Sequence, residues 1–195
     1  MFYSVLARLN YFDISELSTF RLINSRLQGH PTTHEGLPGV RVASGSLGQG
    51  LSVAIGAAHS KKLNNDSKLI YSLHGDGELQ EGQNWEAIMY ASAKNVDNII
   101  ATIDVNGQQI DGSTPDIIDM GNLKSKFESF GWNVCEINQG NNIQSIILRE
   151  KIFNQYSFEK KYSMIKNRLF LKKKTHFIES RPAPLSSKKH IFTFS

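Results

Sequence analysis

The fold is decided by residues 68–87, KLIYSLHGDGELQEGQNWEA. The apolar run at residues 68–73 predicts a strand that is buried on both faces of a parallel sheet. The apolar spacing over residues 82–95 predicts a helix after that strand. Asp76 lies at the turn between them, with a glycine on each side. The pattern therefore places one carboxylate at a strand end, with little side chain around it.

A second polar side chain follows the next strand of the chain. Residues 98–104, NIIATID, predict that strand, and Asn106 comes shortly after it. The 28 residues between Gly77 and Asn106 give room for a turn, a right-handed crossover helix and a strand. Ligands of open parallel sheets bind beyond the carboxyl ends of the strands. If the two strands are neighbours, we expect the side-chain oxygens of Asp76 and Asn106 to converge on one point.

One carboxylate oxygen donor and one amide oxygen donor favour a particular cation. The set is too small for an all-protein calcium site, whereas Mg²⁺ keeps water and takes further oxygens from a bound phosphate. Gly75 and Gly77 leave space for a bulky ligand close to the backbone. We therefore predict a magnesium ion that bridges the protein and a diphosphate. For the tripeptide GDG alone, a structural turn is the alternative, since Asp-Gly is common turn chemistry.

The remaining pattern predicts an α/β fold, in which a parallel sheet is flanked by helices. An irregular segment, Gly29–Gly50, precedes the strands, and a loop of this length inside a domain is either functional or disordered. In the crossover helix, we expect Trp85, Ile88, Met89 and Ala93 to face inward. Further helices are predicted at 13–27, 52–64, about 119–130 and 143–152, and a further strand at 132–137.

Charge divides the chain into two segments. Residues 1–150 contain 11 Lys and Arg and 16 Asp and Glu, a net charge of −5. Residues 151–195 contain 11 and 2, a net charge of +9. We therefore predict one domain at 1–150 and a basic tail at 151–195. The tail has no RNA-binding signature and its aromatic residues form no patterned platform, so nucleic acid is not an expected partner.

The sequence also argues against several classes of protein. It has no apolar stretch long enough to span a bilayer, and its start, MFYSVLARLNYFD, lacks the basic and apolar regions of a secretory signal. The single cysteine, Cys135, excludes an internal disulfide and a cysteine-rich metal site. We expect a cytoplasmic protein with no membrane partner.

Four motifs carry a resemblance to a known family. They are GHPTTHEGLPGV at 29–40, SGSLGQGLSVAIGAA at 44–58, GDGELQEGQNWEA at 75–87 and NGQQIDG at 106–112. In order and spacing they resemble the transketolase family, whose members use thiamine diphosphate and Mg²⁺. The wording is most similar to the N-terminal subunit of two-subunit bacterial and archaeal transketolases. The resemblance covers roughly residues 3–150 and implies the diphosphate-binding domain of the thiamine diphosphate-binding fold.

The resemblance implies a set of residues at the diphosphate. Asp76 and the side chain of Asn106 would ligate Mg²⁺, with the backbone carbonyl of Gln108 as the third protein ligand. Gly77 would lie against the diphosphate.

The resemblance also implies residues at the reacting end of the cofactor. Gly45, Ser46 and Leu47 would line its thiazolium and aminopyrimidine side. His30 resembles a histidine that contacts the sugar substrate and helps with proton transfer. Glu81 resembles a buried glutamate at the subunit interface, in a carboxylate network that links two sites.

Several of these residues have a simpler interpretation. His30, which precedes a proline, could be an ordinary loop histidine. Glu78 and Glu81 could be solvated acids in a first helical turn, where the helix dipole favours them. His74 could simply be packed at the strand end.

The chain departs from the family pattern in three ways. It begins inside a helix that follows a segment with a cofactor-contacting histidine in the family, and it has no equivalent histidine. Residues 151–195 lack the family's next strand, so we expect an incomplete sheet that is short of one edge strand. A shifted reading frame or a degraded gene end would produce this pattern. The pyrimidine-binding half, which activates the cofactor in the family, is also absent.

The expected function follows from the resemblance and these departures. We expect the diphosphate-binding half of a transketolase of the pentose phosphate pathway, which moves a two-carbon ketol unit between sugar phosphates. It would act only with a C-terminal, pyrimidine-binding subunit, in a two-fold assembly. The alternatives are a non-catalytic remnant of such a subunit, or another thiamine enzyme, such as a 1-deoxyxylulose-5-phosphate synthase or a 2-oxo acid dehydrogenase E1 subunit.

Overall fold

A computed structural model describes residues 2–148 and 168–173. The α-helices are α1 (Phe2–Arg8), α2 (Gln49–Leu63), α3 (Gly82–Ala93), α4 (Thr114–Ile117) and α5 (Leu123–Ser129), and residues 143–148 are also helical. The strands are β1 (Ile70–Gly75), β2 (Ile99–Val105), β3 (Gln108–Gln109), β4 (Gly112–Ser113), β5 (Asn133–Ile137) and β6 (Arg168–Lys173). Short 3-10 helices cover Ile14–Thr19, Thr33–Glu35 and Gly77–Gln80.

The main sheet is parallel and has the strand order β1-β2-β6-β5. β1 and β2 are neighbours, with Ile70 opposite Ile99 and Gly75 opposite Asp104. The apolar residues of both strands suit a sheet that helices cover on its faces. This confirms the predicted α/β fold and the predicted pairing of the two strands. The pairing brings the ends of β1 and β2 to the same edge.

β6 corrects the expectation for the tail. We expected no regular strand after residue 150, but Arg168–Lys173 forms a parallel strand between β2 and β5. A strand from the basic segment therefore lies in the interior of the sheet. The division of the chain at residue 150 stays a prediction. The end of the predicted helix 143–152, beyond residue 148, lies outside the described residues, as does most of the tail.

The core lies on the two faces of the sheet. On one face, α2, α3 and α5 pack on alternate residues of β2, among them Ile99 and Ile103, which are fully buried. On the other face, Ile100 and Ile137 pack with Ile146 from the helix at 143–148. Alternation along β2 assigns its side chains to these two layers. The predicted elements at 52–64, 82–95, 98–104 and 132–137 therefore exist, with ends that differ by at most three residues.

The predicted helix at 13–27 is wrong. Only Ile14–Thr19 is helical, as a 3-10 helix that Asp13 caps, and the chain then turns. The Arg26 guanidinium donates to the Glu16 carboxylate over 2.9 and 2.8 Å. An α-helix would separate residues ten positions apart by about 15 Å, so this ion pair and the helix exclude each other. Ile23, an apolar residue within this range, is 93% exposed.

The expected inward face of α3 is only half correct. Ile88 is fully buried and Trp85 packs against the same core, but Met89 is 49% exposed and Ala93 is also exposed. The buried stripe instead follows the helical spacing through Ala87, Ile88 and Ala91.

Crossing a membrane requires a length and an apolar character that none of the helices in the described residues combines.

Candidate functional site

Asp76 is buried at the end of β1, where the neighbouring strand also ends. It is 4% exposed, and its backbone N–H donates to the carbonyl of Asp104 over 3.3 Å. That bond extends the β1–β2 pairing by one residue beyond Gly75. The sheet therefore fixes the backbone of Asp76 beside Asp104 of β2. Asn106 follows Asp104 by two positions.

The Asp76 carboxylate is held by hydrogen bonds from the adjacent turn. Its Oδ2 accepts from the Gly107 N–H at 3.0 Å and from the Thr114 hydroxyl at 3.3 Å, and its Oδ1 accepts from the Gly77 N–H at 3.1 Å. Burial raises the pKa of Asp76 above its ordinary value, and these hydrogen bonds, with one from the Asn106 backbone, oppose the rise. A cation beside the carboxylate would also favour its charged form.

Asn106 and Gln108 lie in the turn that contacts Asp76. The Asn106 Oδ1 accepts from the Gln108 N–H at 2.9 Å, which folds the turn back on itself. Its second lone pair remains available to another partner. Gln108 and Gln109 then form β3, which pairs with β4 in a short antiparallel hairpin. The structure therefore brings the three predicted metal ligands to one edge of the sheet.

Gly77 packs so tightly on this turn that a larger residue does not fit. A Cβ at Gly77 would lie 2.5 Å from the Cβ of Gln109 and 3.3 Å from the carbonyl oxygen of Gln108. The turn after β2 therefore lies directly against the turn after β1. This contact places the Gln108 carbonyl beside the residue that follows Asp76.

The oxygen donors at this edge suit Mg²⁺. They do not suit a metal that needs several acidic or sulfur ligands. In the described part of the chain, no cluster of three or more His, Cys, Asp or Glu side chains could hold a metal. The edge instead offers one carboxylate, one amide oxygen and one carbonyl oxygen. Mg²⁺ accepts such a partial set because it keeps water and binds substrate phosphates.

His30 and Gly45, predicted at the reacting end of the site, lie against each other. A Cβ at Gly45 would be 2.6 Å from the His30 Nδ1, and Gly45 has a φ of 121°, a conformation that favours glycine. The His30 side chain is exposed. The structure thus joins two residues from separate motifs in one surface patch, and the role of His30 stays a prediction.

The turn from Gly45 to Gly48 ends at the start of α2. Ser46 is exposed and its hydroxyl accepts from the Gln49 side chain at 3.1 Å. The Leu47 carbonyl accepts from the Gln83 side chain over 3.5 Å, a long bond. Contacts across this turn therefore reach from α2 to α3.

Glu78 is a residue whose importance the sequence did not reveal. We considered it a solvated acid, but it is 3% exposed. Its Oε1 accepts from the Gly48 N–H at 3.0 Å, and its Oε2 lies 3.2 Å from the His74 Nδ1. His74 is 1% exposed. No local signal could have shown this, because the contact joins residues 30 positions apart.

Glu81 lies beside the same turn but points to a different environment. It is exposed and precedes α3 without capping it through its side chain. A Cβ at Gly48 would be 2.7 Å from the Cβ of Glu81, so the two backbones approach closely. The interface role of Glu81 stays a prediction.

Comparison with known proteins identifies the family. Residues 1–175 match the model described as transketolase, thiamine diphosphate binding domain. One of the subunits of an apulose-4-phosphate transketolase from Actinobacillus succinogenes is 42% identical over 146 residues, which are 75% of this chain and 52% of that protein. Human transketolase is 36% identical over 145 residues, which are 74% of this chain and 23% of that protein.

Solved structures agree with the sequence relatives. Transketolase from Campylobacter jejuni superposes with a TM-score of 0.66 at 35% identity, over 83% of this chain and 25% of that one. A transketolase variant from Pichia stipitis gives a TM-score of 0.70 at 26% identity, over 89% of this chain and 26% of that one. The chain spans about half the length of the transketolase subunits that it matches. It therefore belongs to the transketolase family and corresponds to the thiamine diphosphate-binding domain.

Proposed function

We propose that this chain binds the diphosphate of thiamine diphosphate through Mg²⁺ and forms one half of a two-subunit transketolase. The observation that carries the proposal is the buried Asp76 carboxylate, which the turn after β2 holds at the ends of β1 and β2. A carboxylate at this depth needs a compensating charge or donors. Asp76 already has three donors, Mg²⁺ would add the compensating positive charge, and the diphosphate would supply further oxygen ligands of the ion.

The protein ligands of the ion would be the Asp76 carboxylate, the Asn106 side-chain oxygen and the Gln108 carbonyl. Gly77, packed against the turn after β2, would lie against the diphosphate. Because the β1–β2 ladder and the turn contacts already hold these groups, binding would require little rearrangement of the sheet edge. Preorganisation of this kind favours affinity.

Bound thiamine diphosphate supplies the nucleophilic carbon of the reaction, so the protein's part is binding, orientation and electrostatics. Gly45, Ser46 and Leu47 would line the ring side of the cofactor. His30, exposed beside Gly45, would donate a hydrogen bond to sugar hydroxyls and help with proton transfer. Glu81 would take part in the contact with a second subunit.

The partner of this chain would be a C-terminal, pyrimidine-binding subunit. Two relatives are named as subunits, one of an apulose-4-phosphate transketolase and one of a 6-deoxy-6-sulfo-D-fructose transketolase, and the chain covers 52% of each. We propose a two-fold assembly of both kinds of chain, acting on sugar phosphates as in the pentose phosphate pathway. Because sugar phosphates are charged and do not cross membranes unaided, a cytoplasmic location fits this function.

Calorimetry tests the proposal. The full chain is titrated with thiamine diphosphate, with and without Mg²⁺ and with and without a transketolase C-terminal subunit. We expect binding that requires Mg²⁺ and strengthens with the partner, and ketol transfer from xylulose 5-phosphate by the pair. Cofactor binding without transfer would identify a non-catalytic remnant, and release of CO2 from a 2-oxo acid donor would identify another thiamine enzyme. Absence of Mg²⁺-dependent binding in every mixture would contradict the proposal.

A further inference from the structure

Glu78 joins the sheet edge to the glycine turn at the start of α2. Its carboxylate accepts from the Gly48 N–H at 3.0 Å, across a separation of 30 residues. Gly48 has a φ of 87°, in the left-handed region, which few residues other than glycine adopt. In this conformation its N–H points to the Glu78 carboxylate. Both residues are buried. A buried N–H without an acceptor is costly, which makes this bond important for the turn.

Glu78 is itself held through both its side chain and its backbone carbonyl. With its hydrogen on Nδ1, His74 donates to the Glu78 Oε2 over 3.2 Å, and its other ring nitrogen has no partner in the described part of the chain. The Asn84 amide donates to the Glu78 backbone carbonyl at 2.7 Å. Glu78 is thus held by β1 and α3 while it holds the turn before α2.

Other contacts of the turn are weaker or more exposed. The bond from the Gln83 side chain to the Leu47 carbonyl is 3.5 Å long, and the Gln49 to Ser46 bond is exposed. The bond from the Gly48 N–H to Glu78 is 3.0 Å long and buried, and a buried hydrogen bond contributes more than either. The Gly48–Glu78 bond is therefore the strongest polar anchor among these contacts.

We propose that Glu78 is a positioning residue, which fixes the Gly45–Gly48 turn relative to the Asp76 edge, and that His74 orients Glu78 for this task. The effect on cofactor rests on the proposed function, because Gly45, Ser46 and Leu47 would line the ring side of thiamine diphosphate. The anchoring of the turn itself does not depend on the cofactor. Glu78 needs to accept a hydrogen bond, so a neutral acceptor of the same shape retains the anchoring.

Hydrogen exchange in the ligand-free full chain tests the anchoring. In the wild type, the Gly48 amide should exchange at least a hundredfold more slowly than an unprotected amide. In Glu78→Leu, its exchange should accelerate at least tenfold more than that of Ile103 in the centre of β2. Glu78→Gln should stay within about threefold of the wild type. An unprotected Gly48 in the wild type overturns the proposal even if Glu78→Leu does not fold.

Ligand binding separates positioning from general damage. Inorganic pyrophosphate with Mg²⁺ probes the Asp76 edge alone, whereas thiamine diphosphate with Mg²⁺ also needs the turn. In Glu78→Leu, we expect thiamine diphosphate affinity to fall at least tenfold while pyrophosphate affinity stays within twofold, with Glu78→Gln restoring most of the loss. Glu86→Leu and Glu86→Gln, on the exposed side of α3, are the matched controls and should change neither affinity.

Each outcome has one meaning. An equal loss of both affinities in Glu78→Leu, or a Glu78→Gln variant as impaired as Glu78→Leu, would overturn the positioning role. If the wild type binds neither probe, with or without a C-terminal subunit, the proposed function fails, and the exchange of Gly48 still decides whether Glu78 anchors the turn. The two failures are therefore distinguishable.

Discussion

The edge of the sheet and the segment before α2 are built by different means. At the edge, Asp76 is 4% exposed and accepts three hydrogen bonds from neighbouring residues. In the segment before α2, His30 and Ser46 are exposed, and the Gly45–Gly48 turn has one buried polar anchor, the bond to Glu78. The sheet therefore preforms the edge proposed to bind the metal, whereas the residues proposed to contact the substrate lie on the surface.

The physical cause of this difference is the distance from the β-ladder. The turns after β1 and β2 continue a register of paired strands, so their backbone positions are determined by neighbouring residues. Between α1 and α2, the chain contains only short 3-10 helices and turns, so the shape of the segment before α2 depends on glycines and a few long-range contacts. Substitutions at the edge should therefore abolish ligand binding, and those in the segment should change it by degrees.

The largest effect is expected from Asp76→Ala. Removing the carboxylate takes away the one charged ligand of the proposed ion and leaves the Gly107 N–H without its acceptor. We expect the Mg²⁺-dependent affinity for thiamine diphosphate to fall at least a hundredfold, as measured by calorimetry. Asp111→Ala, an exposed carboxylate near the same turn, is the control and should bind normally. Unchanged affinity of Asp76→Ala would refute its assignment as a ligand.

Gly77→Ala should have the next largest effect. The added Cβ would lie 2.5 Å from the Cβ of Gln109, so the two turns must separate. Overpacking of this kind costs about 1–3 kcal/mol of unfolding free energy, and we expect a value near the upper end because neighbouring backbone also blocks the space. Urea unfolding measures the loss.

Gly82→Ala is the matched control for the Gly77 variant. A Cβ at Gly82 meets no atom within 4 Å, and the residue begins α3. Since alanine favours a helix more than glycine, Gly82→Ala should be neutral or stabilise by up to about 1 kcal/mol. Equal stabilities of the two variants would show that the turns after β1 and β2 are not in tight contact.

Gly45→Ala tests the segment before α2. The substitution forces alanine into a φ of 121° and pushes a Cβ to within 2.6 Å of the His30 Nδ1. Strain of this kind costs about 1–3 kcal/mol, and because His30 is exposed and can swing away, we expect the lower half of that range. Urea unfolding gives the cost, and chemical shifts of the His30 ring report its displacement.

Gly36→Ala isolates the contribution of the histidine. Gly36 also has a positive φ, 61°, but a Cβ there meets no atom within 4 Å. Its substitution should therefore show only the backbone cost, about 1 kcal/mol. If Gly45→Ala moves the His30 signals no more than Gly36→Ala does, the proposed contact between Gly45 and His30 is absent.

The sequence was sufficient to predict the sheet edge because local patterns determine it. Apolar runs identify β1 and β2, the spacing identifies a crossover helix, and parallel pairing then brings Asp76 and Asn106 to one edge. No further information is needed, since each step involves neighbouring elements. The family motifs added the Gln108 carbonyl, which no residue pattern marks.

The sequence was insufficient where burial depends on distant partners. Glu78 reads as a surface acid because only its contact with Gly48, 30 residues away, makes it buried. β6 lies in a basic segment, RLFLKK, whose charge suggested a tail although the backbone pairs with β2 and β5. The apolar spacing at 13–27 resembled a helix, but the chain turns after Thr19, which brings Glu16 and Arg26, ten residues apart, into an ion pair.

The smallest effect is expected from the ion pair between Glu16 and Arg26, which lies before the irregular segment Gly29–Gly50. The hydrogen bond from Arg26 lowers the pKa of Glu16, so the folded state favours the charged carboxylate. The resulting stability is present above the ordinary pKa of glutamate and is lost as the pH falls through the lower pKa of the folded state. Because solvent reaches both side chains, which are 43% and 23% exposed, and screens the pair, we expect Glu16→Gln to lose less than about 1 kcal/mol at pH 7. Urea unfolding at several pH values should show this difference shrinking in acid, whereas Glu86→Gln should show none. A pH-independent difference would mean that Glu16 stabilises the region by packing, and the segment would then resemble the sheet edge more than its exposure indicates.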